Sequence, residues 1–133
     1  MKCSIPLHTD PYVKVVITYN DVIVYKWKTT VKYKNLAPVY NESFNCKVTE
    51  EMSDEMDKLV ISFYVIDHDY VLRNDTMGVV NIGKNVDTKL GRRHWHQVLQ
   101  SPRQGISFWH PIQLATNAQK RHMRSRSPSP LPQ

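Results

Sequence analysis

Two alternating apolar runs joined by a pair of turn-forming residues constrain this chain more than anything else in it. Residues 12–19 read Tyr-Val-Lys-Val-Val-Ile-Thr-Tyr and residues 22–27 read Val-Ile-Val-Tyr-Lys-Trp, with Asn20-Asp21 between them. β-Branched and aromatic side chains at period two suit a pleated strand. Asn and Asp tolerate the positive φ that a two-residue hairpin turn demands. The pattern predicts a β-hairpin over residues 12–27.

Strand signals continue along the chain. Residues 29–33 read as strand, Leu36-Ala37-Pro38 breaks it, and residues 39–48 resume. Residues 49–57 are acidic and polar, and predict a loop or a short helical turn. Residues 58–66 are almost continuously apolar, as in a strand buried on both faces. Residues 77–82 form another strand signal. Residues 87–100 have helical spacing, with Leu90, Trp95, Val98 and Leu99 as the apolar members. Residues 107–114 read as a last strand. From Ala115 onward the composition shifts to Asn, Gln, Lys, Arg, Ser and Pro, so residues 116–133 are expected to be a disordered basic tail. Short strands separated by turn signals predict an all-β antiparallel sandwich. No internal repeat is present.

The chain has 133 residues, 41% of them hydrophobic, which suits one domain with a modest core. No apolar run approaches the length that spans a bilayer, and the first residues are too polar for a signal peptide. Two cysteines, Cys3 and Cys46, cannot make a disulfide framework and read as reduced thiols of a cytosolic protein. The net charge is +6. Lys14, Lys26, Lys28, Lys32 and Lys34 cluster early, and Lys120, Arg121, Arg124 and Arg126 lie near the end. A basic face of this kind fits lipid headgroups, an acidic protein or nucleic acid, or is simply a solvated surface.

The chemistry-bearing stretch is Asp67-His68-Asp69-Tyr70-Val71-Leu72-Arg73-Asn74-Asp75. Its three carboxylates follow directly on the most strand-like run. Carboxylates held this close repel one another unless a cation or a basic partner sits among them. His94, His96 and His110 have no matching cysteine pair and fit no common zinc spacing. They read as polar surface beside Trp95 and Trp109, which read as packing anchors. No nucleophile–base pair and no phosphate-cradling glycine loop is present, and glycine occurs only four times, so an enzyme is not expected. Ser127 and Ser129 each precede proline and are acceptors for proline-directed phosphorylation. Two Arg-Ser steps are too few for an RNA-binding tail, and no nucleic acid partner is expected.

Asp10-Pro11-Tyr12-Val13-Lys14, Lys28-Thr29-Thr30 and the run from Asn35 to Phe44 resemble a C2 domain. His94-Trp95 and Trp109-His110 are similar, more specifically, to the second C2 domain of the synaptotagmin family. The resemblance covers residues 10–114. It implies an eight-stranded antiparallel C2-type β-sandwich with calcium-binding loops at one end and one helix before the last strand. Two strands and a loop precede the Asp10 motif in that family. Residues 1–9 read instead as a non-family leader, so residues 10–115 are expected to be a C2 domain with about six of the eight strands. A sandwich short of two strands leaves edges unpaired, and marginal stability is expected.

The resemblance also implies a calcium site. Asp10, Asp67, Asp69 and Asp75 match four of the family's five aspartates, and the fifth falls at Ser4, so a weakened Ca2+ site is expected. Tyr70, Val71 and Leu72 form an apolar tip for membrane insertion. Lys26, Lys28, Lys32 and Lys34 correspond to a polybasic strand for phosphoinositides and acidic partners, where alternation would put them on one side. Arg103 matches one of two arginines at the opposite end, and Gln104 takes the place of the other. The implied function is a calcium-responsive phospholipid-binding module in vesicle trafficking and regulated exocytosis. Anionic phospholipid membranes, phosphoinositides, SNARE proteins and other C2 domains are the implied partners. The alternative is a calcium-independent protein or phosphoinositide interaction module with a degenerate calcium site. In either case the expected location is cytoplasmic and peripheral at a vesicle or plasma membrane, the full-length relatives being vesicle-anchored.

Overall fold

The computed structural model describes residues 10–68 and 76–124. Strands β1 (Pro11–Tyr19), β2 (Val22–Lys28), β3 (Leu59–Asp67) and β4 (Thr76–Gly83) form one antiparallel sheet in the order β2-β1-β3-β4. The predicted hairpin is present. Asn20 and Asp21 have φ of 52° and 66°, the pair of positive values that a right-twisted two-residue turn requires. A register shift between Ile17 and Thr18 follows, so that Ile17 pairs Tyr25 but Thr18 pairs Ile23. β3 is the central strand its apolar run predicts, paired to β1 on one side and β4 on the other.

Period two sorts the side chains onto two faces. On the first face Tyr12, Val16, Tyr64, Ile66 and Val79 pack together. On the second, Val15, Ile17, Leu59 and Ile82 pack with Met52 and Trp95. Met52 comes from the short helix α1 (Glu50–Asp54), which Thr49 caps by accepting the Met52 N–H. This is the short helical turn expected over residues 49–57.

Trp95 comes from helix α2 (Lys89–Gln100), within the predicted helical span. Thr88 caps it by accepting the Gly91 N–H at 3.1 Å. A Cβ on Gly91 would sit 2.2 Å from the Asn81 carbonyl oxygen, so the helix backbone rests directly on β4.

Three predicted strands do not form. Past β2 the chain makes one further ladder step, Thr29 N–H donating to the Val13 carbonyl at 2.9 Å, and then turns at Tyr33-Lys34. Residues 39–48 put side chains on the core without pairing their backbone. Phe44 packs against Tyr25, Trp27 and Phe63, and Cys46 lies on the same face. Residues 107–114 contribute only an isolated bridge, Gln113 to Val79. Apolar alternation can seat side chains on a sheet face, but a strand also requires a neighbouring backbone to receive its N–H and C=O groups. The described residues therefore contain four laddered strands where about six were expected. Trp109, expected as an anchor, is 96% exposed, whereas Trp95 is 6% exposed.

The expectation of a disordered tail is also corrected for residues 117–124. Helix α3 (Asn117–Arg124) begins with a reciprocal capping box, Thr116 N–H to Gln119 Oε1 at 2.8 Å and Gln119 N–H to Thr116 Oγ1 at 3.1 Å. Met123 then anchors the helix on the first face, 4% exposed. The polar composition concealed both signals. Residues 125–133, including Arg126, Ser127 and Ser129, and residues 1–9, including Cys3 and Ser4, lie outside the described residues.

Candidate functional site

The start of β1 and the end of β3 meet at one end of the sheet, where the register pairs Pro11 with Asp67. This brings together two aspartates that are 57 residues apart in sequence. Asp10 N–H donates to Asp67 Oδ1 at 3.2 Å, and His68 N–H donates to the Asp10 carbonyl at 2.8 Å. Asp10 is 7% exposed, and a buried carboxylate requires donors. One is the Lys34 N–H, which reaches Asp10 Oδ1 at 2.7 Å. Lys34 adopts φ of 51° to make that turn. Lys32 N–H donates to the Pro11 carbonyl at 3.0 Å and ties the same loop down. The His68 ring lies edge-on to Tyr12 and Tyr33.

The arrangement offers hard oxygen donors at a strand end, the chemistry a calcium ion prefers. Asp10 and Asp67 are two carboxylates in place. Among the described residues no group of three or more His, Cys, Asp or Glu side chains could hold a metal. Asp69 and Asp75, and the apolar tip Tyr70, Val71 and Leu72, lie outside the described residues.

The lysines divide. Register places Lys28 opposite Lys14 and Lys26 opposite Val16, so Lys14, Lys26 and Lys28 share the first face. Burial, and then the nearby charges of Lys26 and Lys28, push the Lys14 ammonium below its ordinary pKa. Lys32 and Lys34 do not continue this row, because β2 ends at Lys28. Lys32 Nζ lies 6.0 Å over the Tyr40 ring, and Lys34 serves Asp10 through its backbone. The expectation of four lysines alternating on strands holds for two of them. Arg103 is exposed, with φ of 68°, in the turn that follows α2.

Sequence reading missed one cluster. His94 Nδ1 lies 2.9 Å from His110 Nε2, and His94 Nε2 lies 3.2 Å from the Ile106 carbonyl. A carbonyl only accepts, so His94 Nε2 carries its proton, and Nδ1 accepts from His110 in the neutral pair. Phe108 stacks on His94 at 4.6 Å between centroids. Burial, then the neighbouring His94, lowers the His110 pKa. Sixteen residues separate the two histidines, and no periodicity connects them.

Comparison with known proteins gives the family. The C2 domain model matches residues 3–98, and the chain belongs to the C2 domain family. It is 39% identical over 106 residues to Synaptotagmin-1 of Homo sapiens, covering 80% of this chain. Synaptotagmin-A of Diplobatis ommata is also 39% identical, over 105 residues and 79% of this chain. The chain spans 24% of the length of each of these relatives. Among solved structures, a C2 domain of plant Extended Synaptotagmin 1 is similar at 31% identity, with a TM-score of 0.47 over 60% of this chain and 56% of that one. The antiparallel all-β fold agrees with the family. No helix among the described residues is long and apolar enough to cross a membrane.

Proposed function

We propose that this chain is a peripheral membrane module that binds anionic phospholipid surfaces in response to calcium, like a synaptotagmin second C2 domain acting in vesicle trafficking and exocytosis. The observation that carries this reading is the pairing of Asp10 with Asp67 at one end of the sheet, 3.2 Å from main-chain N–H to carboxylate. Asp69 and Asp75, which follow β3 in the sequence, supply the remaining carboxylates. With Ser4 at the fifth family position, the site is weaker than a full set. Bound calcium supplies positive charge where the carboxylates otherwise repel anionic lipid. The chain's own residues do the rest. Lys34 N–H and the Asp10 amide orient the two carboxylates, and Tyr70, Val71 and Leu72 meet the headgroup boundary.

Calorimetric titration with millimolar calcium tests this. The wild-type chain gives binding heat, and Asp67→Asn lowers affinity about tenfold or more, since a charged ligand is lost. Absence of heat from wild type, with no amide shifts in residues 67–75 by NMR, overturns it.

A second reading has its own support in Lys14, Lys26 and Lys28, which share one face with no reference to calcium. On that reading the chain is a calcium-independent module for phosphoinositides or an acidic protein such as a SNARE or another C2 domain. Vesicle pelleting with and without calcium, at two salt concentrations, separates the two. Calcium-dependent pelleting supports the first, and pelleting that depends only on salt supports the second.

A further inference from the structure

Helix α3 sits on the first face of the sheet, held there through Met123. The Met123 side chain is buried among Tyr12, Val16, Tyr64, Ile66 and Val79. Its carbonyl accepts from the Lys14 ammonium, 109 residues away in sequence. A lysine on the last carbonyls of a helix satisfies an acceptor that the helix cannot pair internally. The apolar residues cover only part of that face. Alternation also places Thr18, Ser62 and Asn81 on it. These polar residues floor a cleft of about 260 Å³, which α3 covers with Ala118, Gln119 and His122.

Thr18 is the residue that calls for a ligand. It is 6% exposed and lines the cleft. Among the described residues its hydroxyl makes no hydrogen bond. A buried hydroxyl left unpaired is destabilising. Ser62 is paired, its hydroxyl donating to Asn81 Oδ1 at 2.6 Å. The Ser62 lone pairs and the Asn81 amide N–H groups remain for a ligand. Tyr64 also lines the cleft, and burial pushes its phenol up to about 12, so it stays neutral. The carboxylates at the cleft are the exposed Asp21 and Asp87, and among the described residues no lysine or arginine lines it. In a chain of net charge +6, such a lining selects a cation over an anion.

We propose that this cleft binds a small amino alcohol, with its ammonium at Asp21 and Asp87 and its hydroxyl at Thr18 and Asn81. Neutral donors and acceptors on the floor match a hydroxyl, which both donates and accepts. Exposed carboxylates match an ammonium, since charge-assisted hydrogen bonds are the strong ones. The volume admits a ligand of a few heavy atoms. The site stands apart from the calcium and membrane readings above, and neither depends on it.

The test titrates the full chain with ethanolamine at fixed pH and ionic strength, read by amide NMR. Saturable shifts at Thr18, Ser62, Gln119 and His122 are expected, with a Kd of about 0.1–10 mM for so small a ligand. No saturation by about 50 mM overturns the proposal, and that is the result a cleft holding only water gives. Glycolate, which has a carboxylate in place of the ammonium, binds at least about tenfold more weakly. Equal binding of the two overturns the proposal. Thr18→Val removes the hydroxyl and weakens ethanolamine about fivefold or more. The same variant melts no lower than wild type, because an unpaired buried hydroxyl is lost. Wild-type affinity in Thr18→Val overturns the proposal. Asp21→Asn with Asp87→Asn weakens binding about tenfold or more, and wild-type affinity there overturns it as well. Both aspartates are exposed, so this result stands even if Thr18→Val fails to fold. Phosphatidylethanolamine vesicles that displace ethanolamine make the ligand a lipid headgroup, and vesicles that leave it bound make the ligand a free solute.

Discussion

Strand β3 and residues 39–48 both read as strand in the sequence and meet opposite fates. β3 lies between β1 and β4, and its residues from Leu59 to Asp67 pair with β1 along their whole length. Residues 39–48 place Phe44 and Cys46 on the core face, yet they form no ladder. The difference teaches that side-chain pattern decides which face a segment shows to the core. Backbone pairing decides whether that segment is a strand. Residues 105–116 make the same point more weakly, with one bridge at Gln113 and an exposed Trp109.

Hydrogen exchange gives the largest expected contrast. Amides of β1 and β3 should open only with the whole fold, whereas those of residues 39–48 should exchange nearly freely. Since global stability is about 5 kcal/mol or more, the rates should differ at least about a thousandfold. Equal protection in the two segments would break the comparison.

Tryptophan substitution comes next. Trp95→Ala, at a site 6% exposed in the second-face core, should cost about 3–5 kcal/mol. Trp109→Ala, at a site 96% exposed, should change stability by no more than about 0.5 kcal/mol. Chemical denaturation reads both, and a large loss at Trp109 would show that residues 107–114 are packed.

Gly91→Ala sharpens the account of how α2 meets the sheet. A Cβ there lies 2.2 Å from the Asn81 oxygen, so the helix must move off β4, at a cost of about 1–3 kcal/mol. A neutral or stabilising result, as helix propensity alone would give, removes the close approach.

The smallest effect concerns pH. The folded His110 pKa lies below its ordinary 6.5, so the unfolded chain takes up the proton first as pH falls. The associated stability is fully present above about pH 6.5 and is lost as pH drops from there through the folded value. Thermal melts at about pH 7.5 and about pH 5.5 should show this loss, and His110→Gln should flatten part of it. An unchanged slope in that variant would remove the histidine pair as its source.

Much of the fold was legible in local pattern. The hairpin about Asn20-Asp21, the central strand β3, the β4 segment and helix α2 all follow from period and turn residues, which act over a few positions. Of the candidate site, the aspartates were grouped only through the family resemblance and not by any local pattern, because Asp10 and Asp67 meet through the β1–β3 register. The Lys34 N–H that orients Asp10 was not legible at all, since any residue type can donate it. The tail was misread for a different reason. Its polar and basic composition hid a Thr116–Gln119 capping box and a single apolar anchor, Met123.

The sequence by itself determined the antiparallel all-β class, the hairpin turn at Asn20-Asp21 and the place of helix α2, because these depend on neighbours along the chain. Only the tertiary structure decided which strand-like segments pair, which tryptophan is buried, and where α3 docks. Those outcomes depend on which backbone and which apolar face lie across from each residue, and partners that arrive from 57 or 109 residues away leave no periodic trace in the residues they meet.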